Sequence, residues 1–149
     1  MELGRGVMYQ PNEGERLEAR GSVMFFKAVS ASTHGRLSLM ERSLPVGGRM
    51  PPPHAHAEME EAYYVLDGEV TFFVDGHQAK GERDCFVLVP GGVPHTFGNT
   101  SQREARLLVI HAPGLDSYFR ELQSLWSSAE PPSREAEQEL MRRHGMEPA

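Results

Sequence analysis

The sequence predicts an all-β domain, a sandwich or barrel, with helices after its last strand. Three observations lead to this prediction: runs of β-branched and aromatic residues recur from Val23 onward, turn residues separate them, and the apolar period becomes helical after Pro113. Short strands separated by Gly- and Pro-rich turns are typical of sandwiches and barrels. A chain of 149 residues has the length of one domain.

The strands are predicted from alternation and from turn signals. Residues 23–29 form an apolar run, and residues 36–44 alternate with period two, as a half-buried strand does. Residues 61–76 are predicted to form a β-hairpin that turns at Asp67-Gly68, followed by a second turn at Asp75-Gly76. Further short strands are predicted at 85–90, 95–97 and 105–112.

The C-terminal part is predicted to be helical. Apolar residues recur at helical spacing over 114–126, which predicts an amphipathic helix. Ser133 is a suitable N-cap for a second helix, and the mostly polar composition of residues 133–149 predicts weak anchoring. We therefore divide the domain into a barrel with an N-terminal arm, residues 1–112, and a helical extension packed on it, residues 113–149.

The composition argues against several classes of function. The net charge is −6, and no Lys/Arg block provides the basic surface that nucleic-acid binding needs. No stretch approaches the ~20 apolar residues of a membrane span, and the first residues lack the features of a secretory signal. The single cysteine, Cys85, excludes a multi-cysteine metal site. We expect a cytoplasmic protein that binds neither nucleic acid nor membranes.

Residues that can bind a metal ion occur in two short segments. His54 and His56 are two positions apart, so on a strand their side chains point to the same face. A carboxylate from residues 58–61 can face the same ion, and a Pro- and Gly-rich turn delivers His95 at the start of a later strand. Neutral imidazoles with one carboxylate suit Fe, Mn, Ni, Co, Cu or Zn, and leave coordination positions open for catalysis.

The order and spacing of these residues resemble the two sequence motifs of the cupin family. The first motif, G-x5-H-x-H-x4-E-x6-G, is matched without a gap by Gly48, His54, His56, Glu61 and Gly68. The second motif, G-x5-P-x-G-x2-H-x3-N, is matched by Pro90, Gly92, His95 and Asn99. This sequence has Asp84 at the first glycine of the second motif. Of the nearby carboxylates Glu58, Glu60 and Glu61, only Glu61 keeps both family spacings.

Residues from about 7 to 126 are similar to small bacterial quercetin-dioxygenase-like cupins. This resemblance implies a double-stranded β-helix, or jelly roll, with one divalent transition metal ion inside the barrel. It implies the metal ligands His54, His56, Glu61 and His95. It also implies a quercetinase-type dioxygenase acting on a small aromatic or polyketide-like molecule, with Glu61 as ligand and base. The alternatives are a Lewis-acid enzyme for isomerisation, cyclisation or dehydration, and a non-catalytic ligand-binding cupin.

Strand parity predicts the walls of the substrate pocket. If Glu61 points inward, Tyr63 does too, and Phe72 and Phe97 follow on neighbouring strands. These three aromatic residues are candidate contacts for a flat substrate, with packing in the barrel core as the alternative role. His111, at the end of its strand, is a further candidate contact. We also expect a homodimer, because an apolar sheet face needs cover.

Overall fold

The computed structural model describes residues 2–149. The strands are β1 (Glu2–Leu3), β2 (Gly6–Val7), β3 (Glu15–Ala19), β4 (Ser22–Ala28), β5 (Ser38–Leu44), β6 (His54–His56), β7 (Glu60–Asp67), β8 (Glu69–Val74), β9 (His77–Glu82), β10 (Phe86–Val89), β11 (His95–Gly98), β12 (Ala105–Ala112) and β13 (Met146–Pro148). The helices are α1 (Ser30–Thr33), α2 (Asp116–Trp126) and α3 (Arg134–Arg143). Within the described residues, no helix combines the length and apolar character that crossing a lipid bilayer requires.

Two antiparallel sheets enclose the core. The six-stranded sheet has the order β10-β7-β12-β5-β4-β3, and the five-stranded sheet has the order β13-β6-β11-β8-β9. Strands that are neighbours in a sheet are often distant in the chain, because the chain passes back and forth between the two sheets. This is the connectivity of a jelly roll. The predicted fold class, an all-β double-stranded β-helix with C-terminal helices, is confirmed.

Alternation along the strands builds the core. In β5 every second side chain, beginning with Ser38, is buried, and β12 alternates in the same way. The inward residues of the six-stranded sheet include Met24, Met40, Leu107 and Val109, which are almost fully buried. The apolar face of α2 closes this core, since Tyr118, Phe119 and Leu122 are buried against it. Removal of this apolar surface from water stabilises the barrel.

The predicted hairpin at Asp67-Gly68 is wrong. β7 pairs with β10 and β12 in one sheet, whereas β8 pairs with β9 and β11 in the other. Gly68 has φ of 76°, and a Cβ atom there would lie 2.7 Å from the carbonyl oxygen of Glu104. The turn is therefore a corner that only glycine fits, where the chain leaves one sheet for the other. The next turn, at Asp75-Gly76, does close a hairpin between β8 and β9.

The expectation that residues 133–149 are weakly anchored is also wrong. Ser133 caps α3 by accepting a hydrogen bond from the backbone N–H of Ala136 at 3.1 Å. Met141 and Met146 are buried, and β13 pairs with β6 so that Met146 lies opposite His56. The few apolar residues of this segment share one face, which suffices to dock it. The segment therefore covers the part of the barrel that carries His54 and His56.

Asp116 fixes the start of α2 to α1. Its Oδ1 accepts hydrogen bonds from the backbone N–H and the hydroxyl of Ser30, at 2.9 and 2.6 Å, and its Oδ2 lies 2.7 Å from Arg120 Nη1. Burial acts to raise the pKa of Asp116, but the hydrogen bonds from Ser30 and Arg120 lower it below its ordinary value. The carboxylate therefore stabilises the fold when it is ionised.

We expect Asp116→Asn to lower the free energy of unfolding by about 1–3 kcal/mol near pH 7, because the hydrogen bonds lose their charged acceptor. A depressed pKa contributes stability above the ordinary Asp pKa of about 4, and this contribution is lost as the pH falls through the folded-state pKa. The difference between wild type and variant should therefore shrink at about pH 3. Urea unfolding of both proteins near pH 7 and at about pH 3 measures this difference in the free energy of unfolding.

The matched control is Asp67→Asn, since Asp67 is 46% exposed and lies 3.5 Å from Arg103. This exposed pair should contribute less than about 1 kcal/mol. An equal loss of stability for Asp116→Asn at both pH values would contradict the assignment.

Candidate metal centre

Three strands bring three histidines and one carboxylate together. β6 carries His54 and His56 on its buried face, with the partly exposed Ala55 between them. β11 pairs with β6 through His95 and His54, and β7 adds Glu61 from the facing sheet. The four candidate ligand atoms all lie within 4.8 Å of one another. Each of the four residues is at most 4% exposed.

The structure places Glu61 in this cluster and leaves the rival carboxylates outside it. Glu58 and Glu60 are exposed, whereas Glu61 is buried on the inward face of β7. The chain turns between His56 and the start of β7, so the alternation of inward and outward side chains along β6 does not continue to Glu58.

The orientation of two imidazoles fits a bound metal ion. His54 Nδ1 donates to the carbonyl oxygen of Pro52 at 2.8 Å, and His95 Nδ1 donates to that of Val93 at 2.9 Å. Because a carbonyl oxygen can only accept, each ring carries a proton on Nδ1, and its Nε2 can bind a metal ion when that nitrogen carries no proton. Burial lowers the pKa of His54 to about 3, so this ring is neutral at neutral pH. Such a donor set suits a divalent transition metal.

The two oxygens of Glu61 have different neighbours. Oε2 lies 2.8 Å from His56 Nε2 and 2.9 Å from His95 Nε2. Oε1 accepts a hydrogen bond from the Tyr63 hydroxyl at 2.5 Å and lies 3.1 Å from His111 Nε2. Burial acts to raise the pKa of Glu61, but the charge and hydrogen bond of His111 and the hydrogen bonds of His56 and His95 hold it well below its ordinary value. The carboxylate is therefore ionised.

The residues predicted as pocket walls divide into two groups. Phe97 and His111 line a cavity beside the cluster. Tyr63 and Phe72 do not line that cavity: their rings pack in the core with centroids 5.3 Å apart. This packing agrees with the alternative role in the barrel core, since Tyr63 turns its hydroxyl to Glu61 and its ring lies against Phe72. Contact of these two residues with a substrate stays a prediction.

The cavity is small and includes residues that the sequence analysis missed. Its volume is about 20 Å³, which is space for about one water molecule. Two arginines, Arg20 and Arg42, line it together with Met141 and Met146 of the C-terminal segment. Alternation along β5 could have identified Arg42, since it occupies an inward position. A larger ligand can enter only if wall side chains move, and methionine side chains adapt readily.

Asp84 preserves the turn that the second motif forms with glycine. Its φ of 70° lies in the left-handed region, which aspartate tolerates better than most residues. Its backbone N–H donates to the carbonyl oxygen of Val65 at 2.9 Å. The departure from the motif therefore leaves this corner of the barrel intact.

Together, the two sheets and the buried cluster define a double-stranded β-helix with a candidate metal centre inside it. The profile of the cupin domain family matches residues 40–111. The chain belongs to the cupin superfamily.

Comparisons with individual proteins agree on the fold and differ in function. The chain is 25% identical over 114 residues to quercetin 2,3-dioxygenase of Bacillus subtilis (strain 168), which covers 76% of this chain and 33% of that protein. The chain thus spans about a third of that relative's length. A predicted oxalate decarboxylase of Thermotoga maritima has a TM-score of 0.63 at 22% identity, covering 72% of this chain and 99% of the other. A polyketide cyclase of Streptomyces resistomycificus has a TM-score of 0.62 at 21% identity, and the match covers 72% of this chain and 79% of the cyclase.

We expect the purified protein to bind about one divalent transition metal ion per chain, as a site with three or four protein ligands does. The double variant His54→Ala/His56→Ala should lose most of this metal, because it removes half of the donor set. Elemental analysis after dialysis measures the metal content. His77→Ala is the matched control, since His77 is exposed and lies outside the cluster. Unchanged metal content in the double variant would contradict the assignment of His54 and His56 as metal ligands.

Proposed function

We propose that the protein is a metal-dependent dioxygenase of the quercetinase type that acts on a small aromatic or polyketide-like molecule. The observation that carries the proposal is the convergence of His54, His56 and His95 with the ionised Glu61 inside the barrel. A divalent transition metal held by these residues supplies a Lewis acid and, where it is redox-active, a centre for reaction with O2. The similarity to the Bacillus subtilis dioxygenase supports this reaction class. The cytoplasmic location stays a prediction.

The contacts of Glu61 define which proton it can accept. An ionised carboxylate can take a proton from a substrate hydroxyl, but the hydrogen bond from Tyr63 and the nearby His111 make Glu61 a weak base. A weak base acts well only on an acidic hydroxyl group. Phenols and enols have such hydroxyl groups, which is why we propose an aromatic or polyketide-like substrate.

The alternative is an enzyme that uses the metal only as a Lewis acid, for isomerisation, cyclisation or dehydration. The pair of Glu61 and His111, 3.1 Å apart, favours this alternative because it can move a proton without any oxidant. Oxygen consumption with quercetin discriminates between the two. Uptake of O2 coupled to loss of quercetin supports the dioxygenase, whereas product formed from a candidate substrate without O2 uptake supports the Lewis-acid enzyme.

We expect Glu61→Gln, reloaded with metal to full occupancy, to lose at least ~100-fold in turnover, the usual scale for removal of a general base. An amide accepts hydrogen bonds but has no useful basicity near neutral pH. Oxygen uptake with quercetin, normalised to metal content, measures the loss. The matched controls Glu58→Gln and Glu60→Gln change exposed carboxylates and should keep most of the activity. Near-normal turnover of metal-replete Glu61→Gln would show that Glu61 is not the base.

We also propose that two copies of the chain pair through the outer face of the six-stranded sheet. Phe86 and Leu88 of β10 are 59% and 53% exposed, and Tyr64 of β7 lies opposite Phe86. Leu108 of β12 lies opposite Tyr64 on its other side. A flat apolar sheet face can pack against its own copy about a two-fold axis.

We expect light scattering at micromolar concentration to give the mass of a dimer for the wild type and of a monomer for Phe86→Glu/Leu88→Glu, because two buried charges oppose pairing. Val46→Glu is the control, since Val46 is 51% exposed in the loop after β5. A monomeric wild type, or a double variant that stays dimeric, would count against this interface.

A further inference from the structure

A buried arginine with free hydrogen-bond donors lines the same cavity as the candidate metal ligands. Arg42 points inward from β5 between Met40 and Leu44, and is 2% exposed. Its Nε donates to the Ser22 hydroxyl oxygen at 2.9 Å, and its Cζ lies 5.2 Å from the centre of the Phe97 ring. Its two terminal nitrogens make no hydrogen bond to the described backbone or to the described side chains, those of residues 3–149.

The charge of Arg42 is offset only in part, by the Glu61 carboxylate, which acts on it without forming an ion pair. Among the described side chains, those of residues 3–149, no acidic group forms an ion pair with it, whereas Arg20 is paired with Glu137 at 2.8 Å. Burial and the positive charge of Arg20 lower the pKa of Arg42 to about 10, against the opposite effect of the Glu61 carboxylate, so the guanidinium is still charged at neutral pH. A buried charge without a partner destabilises a fold. A ligand that brings the missing charge would remove this penalty.

The contacts that Arg42 makes leave its two terminal nitrogens available to a ligand. The bond to Ser22 uses Nε, and the guanidinium carbon lies over the Phe97 ring. The two terminal nitrogens form the planar pair of donors that matches the two oxygens of a carboxylate. Arg20 is less suited to this task, because Glu137 and the Tyr118 hydroxyl already accept hydrogen bonds from its Nε and from one terminal nitrogen.

We propose that Arg42 binds a carboxylate group of the substrate, while the reacting end of the same molecule faces the candidate metal ligands. Arg42, His54, His56 and Glu61 line one cavity, so a small ligand can reach both ends. This inference extends the proposed function. It relies on that function for the role of the metal ion at the reacting end of the ligand. It narrows the substrate class to small aromatic or polyketide-like carboxylates. Binding requires Met141 and Met146 to give way, since the cavity holds about one water molecule.

Calorimetric titration of the metal-loaded full chain with benzoate and with benzamide tests this inference, because the two probes share a shape and differ in charge. The wild type should bind benzoate at least about tenfold more tightly than benzamide, a ratio that corresponds to one charge-assisted interaction. Arg42→Met should remove this preference, and Arg42→Lys should keep part of it. Arg103→Met, at an exposed arginine, is the matched control and should change neither affinity.

The same variants separate a binding role from a structural one. In the absence of ligand, Arg42→Met should have an unchanged or higher melting temperature, because it removes an unpaired buried charge. A wild type that does not prefer benzoate would overturn the inference. So would a preference for benzoate that survives in Arg42→Met and vanishes when the metal is chelated, because the carboxylate would then bind the metal alone. Arg42-dependent benzoate binding in a protein that holds no metal would overturn the proposed function and leave this inference standing.

Discussion

The ionised Glu61 carboxylate is the group on which the candidate site depends. It is buried, and a buried charge is tolerated only when hydrogen bonds and opposite charges compensate for lost hydration. Tyr63 and His111 contact one of its oxygens, and His56 and His95 contact the other. The Nδ1 atoms of His56 and His111 are buried without a hydrogen-bond partner in the described part of the chain. The polar contact that orients these two rings is therefore the one to Glu61.

The fold makes this arrangement possible because it brings distant strands into register. On the six-stranded sheet, His111 of β12 lies opposite Glu61 of β7. On the five-stranded sheet, His95 of β11 lies opposite His54 of β6. The inward faces of the two sheets then meet in the barrel. The pairing of β13 with β6 adds cover over the histidines and limits access of water, which strengthens the electrostatic interactions inside.

Local patterns in the sequence predicted much of the site, because its ligands obey fixed spacings and strand parity. The spacing of the cupin motif selected Glu61, and the alternation of the strand then placed Tyr63 on the same inward face, as the structure has them. The partners of each strand could not be predicted in the same way, since the turn at Asp67-Gly68 has hairpin chemistry but joins two sheets. Arg42 was missed because arginine is expected on the surface, although the alternation along β5 places it on the inward face.

X-ray absorption spectroscopy of the Zn²⁺-loaded protein tests most directly whether Glu61 is a metal ligand while His111 only positions it. The account predicts nitrogen and oxygen ligands at about 2.0–2.2 Å, with the scattering signature of three imidazoles. It also predicts the same imidazole count in His111→Gln, because His111 contacts the carboxylate and lies outside the cluster. Four imidazoles in the wild type that fall to three in His111→Gln would contradict the account.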